Sequence, residues 1–325
     1  MSIVPNREPP PVEGVYLQTW LKPFAPWLER DDVSEILVNR PGEAWVEVVG
    51  ENAMRRLDMP EVDDILLARL AAQIARVTHQ GISRESPLLA ASLPSGERVQ
   101  LVGPPATAHW VMAIRHHRMV DLDIEAYDHG PLPAAGADAA LSLDLARSDP
   151  ISFLKQAVAA RKTILISGGT SSGKTTFLNA LLKTVPAGER IIVVEDTPEI
   201  ACGHANAVSL TAVKGEMGEA RIGVGDLLQA SLRLRPDRII VGEIRGAEAN
   251  TFLRAINTGH PGSFTTVHAN TPQGALEQIA LMVLQSGTQL SRRETLDYAA
   301  SLIDVVVQLS RSGGKRAISD IWLTR

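Results

Sequence analysis

A chain of 325 residues, 45% hydrophobic and 21% charged, has apolar material for two packed domains, and with aromatics at 4% its core must rest on Leu, Ile, Val and Ala. The net charge of −5 gives no global attraction for phosphates, which argues against a default nucleic-acid binder. The one cysteine, Cys202, excludes an intrachain disulfide and a multi-cysteine zinc site, and reads as a small buried or loop residue rather than a nucleophile.

Residues 1–14 hold Pro5, Pro9, Pro10 and Pro11 and read as a flexible lead-in without the basic-then-apolar pattern of a signal peptide. No apolar run approaches the ~20 residues needed to span a bilayer, so the expectation is a soluble, cytoplasmic protein, or one held at a membrane only by partners. A helical pattern follows, bent at Pro23 and ending near Leu28. Glu35–Val38 and Ala44–Val48 are β-like runs split by the turn Asn39-Arg40-Pro41-Gly42. Val62–Val77 predicts an amphipathic helix with Ile65, Leu66, Leu70, Ile74 and Val77 on its apolar stripe. Leu88–Leu93 and Arg98–Val102 flank Pro94-Ser95-Gly96-Glu97 as a hairpin, and Trp110–Ile114 reads as another strand. These elements make a mixed α+β domain over 15–127.

The Pro, Gly and Ala of 128–148 mark a linker, and 149–325 form the second domain. Asp149-Pro150 starts a helix through Ala160. Buried strands are expected at Thr163–Ser167, Ile191–Val194, Arg238–Val241 and Phe264–Val267, with helices at Thr175–Thr184, Asp226–Leu234 and Ala247–Ile256. Continuous apolar strands between helices predict an α/β domain with a mostly parallel sheet covered on both faces. Val305–Leu309 and Ile318–Leu323 predict an antiparallel hairpin at the sheet edge.

Gly168-Gly169-Thr170-Ser171-Ser172-Gly173-Lys174-Thr175 fits G-x-x-x-x-G-K-[ST], between a buried strand and a helix. Glycines let backbone N–H groups wrap phosphate oxygens, and the helix start, through Thr176, adds its positive end. Lys174 supplies charge to the phosphates, and the Thr175 hydroxyl is placed to ligate Mg²⁺. This predicts Mg²⁺-dependent binding of a nucleoside triphosphate; the motif by itself does not choose between a kinase, a GTPase, an ATPase and a motor, and ATP hydrolysis needs acids besides. The acids must then lie at the carboxyl ends of neighbouring strands. Glu195-Asp196-Thr197-Pro198-Glu199 follows one strand and Gly242-Glu243 another. Gly242 stands where a Walker B motif commonly has Asp. Glu243 and Glu195 are the catalytic candidates, with either holding the metal, directly or through water; Asp196 and Glu199 rank lower, as surface or capping acids. His260 and His268 bracket the strand Phe264–Val267 and are candidate phosphate sensors. His116-His117 reads as a solvated basic patch.

Four motifs in order, the Walker A loop, VVEDTPE, IIVGEIRG and TGHPGSFTTVHAN, resemble those of the secretion-superfamily ATPases, and most nearly the VirB-type traffic ATPases of bacterial type IV secretion and conjugation. The resemblance spans roughly Pro23 to Leu323, and includes VSEILVNRPGEAWVE, ESPLLAASLPSGERVQLV and AIRHHR in the first domain. It implies a PAS-like first domain, a RecA-like second domain, ATP between the two, and a homo-hexameric ring at the cytoplasmic face of the inner membrane. The implied partners are inner-membrane secretion subunits and other secretion ATPases, without sequence-specific nucleic-acid binding. It makes Arg98 and Arg115, on their own only strand arginines, candidates to approach the phosphates, matches Glu243 to the catalytic glutamate and Glu195 to the acidic-box glutamate, and gives Arg245 a relay or inter-subunit role. Pro261-Gly262 departs from the two glycines common after the first histidine. The alternatives are a pilus-retraction or type II secretion ATPase, against whose four-cysteine zinc insert the one cysteine argues, a nucleic-acid motor using Arg233, Arg235 and Arg238, and a nucleotide-dependent scaffold without turnover.

Overall fold

The computed structural model describes residues 13–116, 142–213, 220–312 and 315–324, and the chain divides into two compact units between Arg118 and Met119. The expected linker lies outside the described residues up to 141; its last part is helical.

The first unit begins with α1 (Glu13–Leu21), a 3-10 turn at Lys22–Phe24 containing Pro23, and α2 (Ala25–Leu28). Strands β1 (Val33–Val38), β2 (Gly42–Val48) and β3 (Arg55–Met59) precede α3 (Asp64–Val77), and β4 (Leu88–Ser92), β5 (Arg98–Val102) and β6 (Val111–Arg115) complete an antiparallel sheet of order β3-β2-β1-β6-β5-β4. Asp63 caps α3, its carboxylate accepting the Leu66 N–H at 2.7 Å. The stripe that α3 buries is Leu67, Leu70, Ala71, Ile74 and Ala75. Ile65, expected on that stripe, is 62% exposed. It sits two residues before Leu67, about 200° round the helix, so a face centred on Leu67 and Leu70 turns it to solvent. The sequence reading also passed over β3.

The second unit opens with α4 (Leu143–Ser148) and α5 (Pro150–Ala159). Asp149 caps α5 as expected, accepting the Ser152 N–H at 3.0 Å. Then come β7 (Ile164–Gly168), α6 (Lys174–Leu182), β8 (Ile191–Glu195), β9 (Ala207–Thr211), α7 (Val224–Ser231), β10 (Arg238–Val241), α8 (Glu248–Asn257), β11 (Phe264–Val267), α9 (Pro272–Gln285), α10 (Arg292–Leu302), β12 (Val305–Ser312) and β13 (Lys315–Leu323). The sheet order is β13-β12-β7-β11-β10-β8-β9. Every pairing is parallel except β12 with β13, which form the expected hairpin with β13 at the edge. This topology puts the carboxyl ends of β7, β8, β10 and β11 along one edge. Strand β9 and helices α9 and α10 were not anticipated.

The opposite edge is held by buried ion pairing. The Arg238 side chain is fully buried and donates to both carboxylate oxygens of Glu189, at 2.6 and 2.9 Å, and to the carbonyls of Gly262 and Val158. Burial alone would raise the Glu189 carboxyl; the Arg238 hydrogen bonds and charge outweigh it and hold it below the usual range. Arg238 therefore belongs to the interior, which removes it from any exposed arginine patch with Arg233 and Arg235. Glu189→Ala strands a buried guanidinium, so chemical denaturation is expected to show a loss of about 3–5 kcal/mol. A loss below about 1 kcal/mol, the value of an exposed pair, would show that the carbonyls suffice.

Candidate functional site

Strand β7 ends at Gly168, and the loop after it folds tightly enough that a Cβ on Gly168 would collide with the Ser172 hydroxyl. The Ser172 N–H donates back to the Gly169 carbonyl at 3.3 Å. Ser171 and Gly173 both take left-handed backbone, with φ of 61° and 90°. Such turns direct successive N–H groups into one concavity, an anion nest. Gly169 and Thr170 form its partly exposed to exposed outer wall. No side chain caps the start of α6. The first-turn amides, at Thr175 and Thr176 among others, thus lie at the loop with the positive end of the helix.

Lys174 folds back over this loop. Its ammonium donates to the carbonyls of Gly168 (3.1 Å) and Gly169 (3.5 Å), and lies 3.2 Å from His268 Nδ1. Desolvation pulls the Lys174 pKa below the usual lysine value against the attraction of Glu243, and Arg245 adds to the drop. His268 Nε2 is 2.9 Å from Glu243 Oε1. The Lys174 ammonium lies 3.4 Å from Nε2 as well, so the His268 ring stands between the lysine and the glutamate, in contact with both. The Glu243 Oε2 atom accepts from Arg245 at 2.7 Å, and Arg245 reaches Asp196 at 3.0 Å. Asp196, Arg245, Glu243, His268 and Lys174 thus form one continuous chain at the carboxyl edge of β7, β8, β10 and β11. On its other side, Glu243 and Arg245 line a cavity of about 480 Å³ together with Asp226 and Glu248.

The acidic box divides its labour. Glu195 is 3% exposed, and its Oε1 accepts the N–H groups of Glu199 (2.9 Å) and Ile200 (2.8 Å). Burial raises its pKa, with those two hydrogen bonds working against the rise. Glu195 therefore shapes the turn that presents Glu199. It also accounts for Gly242: a Cβ there would stand 3.3 Å from Glu195 Cγ, so the space of a Walker B side chain is filled from β8 instead. Glu199, ranked low from sequence, accepts a hydrogen bond from the Thr175 hydroxyl at 3.1 Å. Asn179 ties the same turn to α6, donating to the Glu199 carbonyl at 3.3 Å and accepting from Ala201 N–H at 3.0 Å.

The two histidines separate. A strand of four residues spans about 13 Å, so residues flanking β11 fall at opposite edges of the sheet. His268 lies at the phosphate loop. His260 lies at the far edge, its Nδ1 3.0 Å from the Pro236 carbonyl, with burial lowering its pKa. In the first unit, Arg98 and Arg115 are directly opposed across β5 and β6, both exposed, with Glu35 3.7 Å from Arg115. His116 is partly buried rather than freely solvated, and His117 lies outside the described residues. Cys202 is partly buried in a loop and its thiol is pushed up by burial, as expected of a packing residue.

A family model described as type II/IV secretion system protein matches residues 20–314. The chain belongs to this family. Within it, the chain is 36% identical to the type IV secretion system protein VirB11 of Bartonella henselae, over 94% of this chain and 92% of that protein. It is 37% identical to the type IV secretion system protein PtlH homolog of Bordetella bronchiseptica, over 93% of each. The crystal structure of the VirB11 ATPase from the Brucella suis type IV secretion system, in complex with sulphate, superposes with a TM-score of 0.88 at 33% identity, covering 96% of this chain and 95% of that one. The α/β architecture, with its mostly parallel C-terminal sheet, is thus that of the secretion-system family.

Proposed function

We propose that this chain is a P-loop ATPase of a type IV secretion system, hydrolysing ATP to ADP and phosphate at the carboxyl edge of its C-terminal sheet. The observation that carries the chemistry is the linked set Lys174, His268, Glu243 and Arg245 beside an uncapped helix start. The type IV assignment rests on relatives at 33–37% identity across most of the chain.

The amides of Gly169 through Thr176 bind the polyphosphate, and Lys174 moves from the loop carbonyls to phosphate oxygens. Glu243 holds the attacking water and accepts its proton as the terminal phosphate leaves. His268 couples the Lys174 and Glu243 positions and so reports which partner the lysine has. Glu195 is a positioning residue for the acidic turn. Thr175 and Glu199 offer hard oxygen ligands of the kind Mg²⁺ prefers, with Glu243 on the water side. When bound, Mg²⁺ neutralises charge on the phosphates. Arg98 and Arg115, a like-charge pair that disfavours its own strand pairing, are assigned to the phosphates as well.

No helix among the described residues is long and apolar enough to cross a membrane. We assign the protein to the cytoplasmic face of the inner membrane through secretion-complex subunits, as a homo-hexameric ring. Steady-state phosphate release from ATP is expected with Mg²⁺ and not with chelator, and the mass in solution with an ATP analogue is expected to be six times that of the chain. ATP binding without phosphate release would leave a nucleotide-dependent scaffold.

A further inference from the structure

We propose that Arg316 is a further nucleotide-binding residue, brought to the phosphate loop by the C-terminal hairpin, where its guanidinium contacts the polyphosphate. This rests on the ATP reading above and adds a group outside all four sequence motifs.

Strand β12 runs parallel to β7 from Val305 opposite Ile164 to Leu309 opposite Gly168. There β7 ends, but β12 continues to Ser312, paired with β13 through Ser310–Ala317, Arg311–Arg316 and Ser312–Lys315. Three residues of overhang carry the hairpin about 10 Å past the last residue of β7, alongside the phosphate loop. The contact is close: a Cβ at Gly173 would lie 2.7 Å from Arg316 Cδ, 3.3 Å from its Nε and 3.7 Å from its Cζ. Glycine at 173 thus serves twice, for its left-handed φ and for the arginine stem laid against it.

The charge pattern makes this more than packing. Arg311 and Arg316 are directly opposed on the two strands, an arrangement that destabilises a hairpin unless an anion offsets it. Both are exposed, and neither has a carboxylate partner among the described residues. Gly173 is the residue preceding Lys174, so the guanidinium beside it stands at the wall of the amide nest. A planar, permanently charged donor there suits phosphate oxygens.

The test is titration of the full chain with a fluorescent ADP analogue, competed by ATP and by inorganic pyrophosphate, for wild type, Arg316→Ala and Arg316→Met. Both variants are expected to bind all three ligands about 10-fold more weakly, worth ~1.4 kcal/mol, with the deficit shrinking as salt is added. Arg316→Met keeps a long apolar stem, so a methionine variant binding within twofold of wild type overturns the proposal. A deficit for ADP but none for pyrophosphate moves the contact to the nucleoside and also overturns it. Wild-type protein that binds none of the ligands overturns the ATP reading itself.

Discussion

Lys174→Ala is expected to lower ATP turnover at least about 100-fold, the scale of removing one preorganised charge from a phosphoryl-transfer site, while the ligand-free protein stays folded. In this structure the ammonium rests on two loop carbonyls and His268, the side chain is buried, and desolvation already disfavours its charge. Its positive charge therefore contributes little to folding. Phosphate supplies what the carbonyls cannot, a full opposing charge, so the interaction strengthens only when nucleotide is bound. The ligand-free Tm should then shift by no more than about 3 °C, equivalent to ~1 kcal/mol for a domain of this size. Phosphate release and thermal unfolding on the same preparation check both halves. A variant that turns over like wild type removes the lysine from the mechanism; one that unfolds shows that its contacts hold the loop.

The parts legible in the sequence are those whose signals are local. Thr163–Ser167, Ile191–Val194 and Arg238–Val241 are short, largely apolar runs between helix signals, and burial on both sheet faces demands that composition. Asp149-Pro150 and the phosphate loop are equally local. Strands β3 and β9 escaped because they lie at sheet edges, where RRLDM and AVSLT need only part of their side chains buried. Helices α9 and α10 did carry signals, Thr271-Pro272 and the capping box Ser291 with Glu294, which the strand pattern around them obscured. Within the site, Glu243 and His268 stand at strand ends and could be read in place. His260 precedes β11 and so falls at its amino end, away from the phosphate loop, a consequence of strand polarity that pairing it with His268 as a sensor overlooks. The exchange of roles between Glu195 and Glu199 depends on which carboxylate turns back to its own loop amides, a matter of backbone path. Arg316 was invisible for a similar reason: only the overhang of β12 beyond β7 brings it to Gly173.

Glu243→Gln is expected to cut turnover by about 10²–10⁴-fold, the range for a positioned general base, with nucleotide affinity unchanged or higher. The side chain is 14% exposed; its Oε2 accepts from Arg245 at 2.7 Å, and His268 Nε2 lies 2.9 Å from its Oε1. Glutamine has the same shape and can still accept from Arg245 through its carbonyl oxygen, so the fold of the edge is retained. It cannot take a proton from water, and it removes a negative charge facing the polyphosphate, which favours binding. A base and a tether therefore give opposite patterns. Loss of the base lowers kcat and spares Kd, whereas loss of a tether releases Arg245 and His268 and weakens both. Single-turnover phosphate release beside equilibrium nucleotide binding separates them. Turnover within threefold of wild type would transfer the base to another acid of the same edge, and Asp196, joined to Glu243 through Arg245, would be the next residue to test.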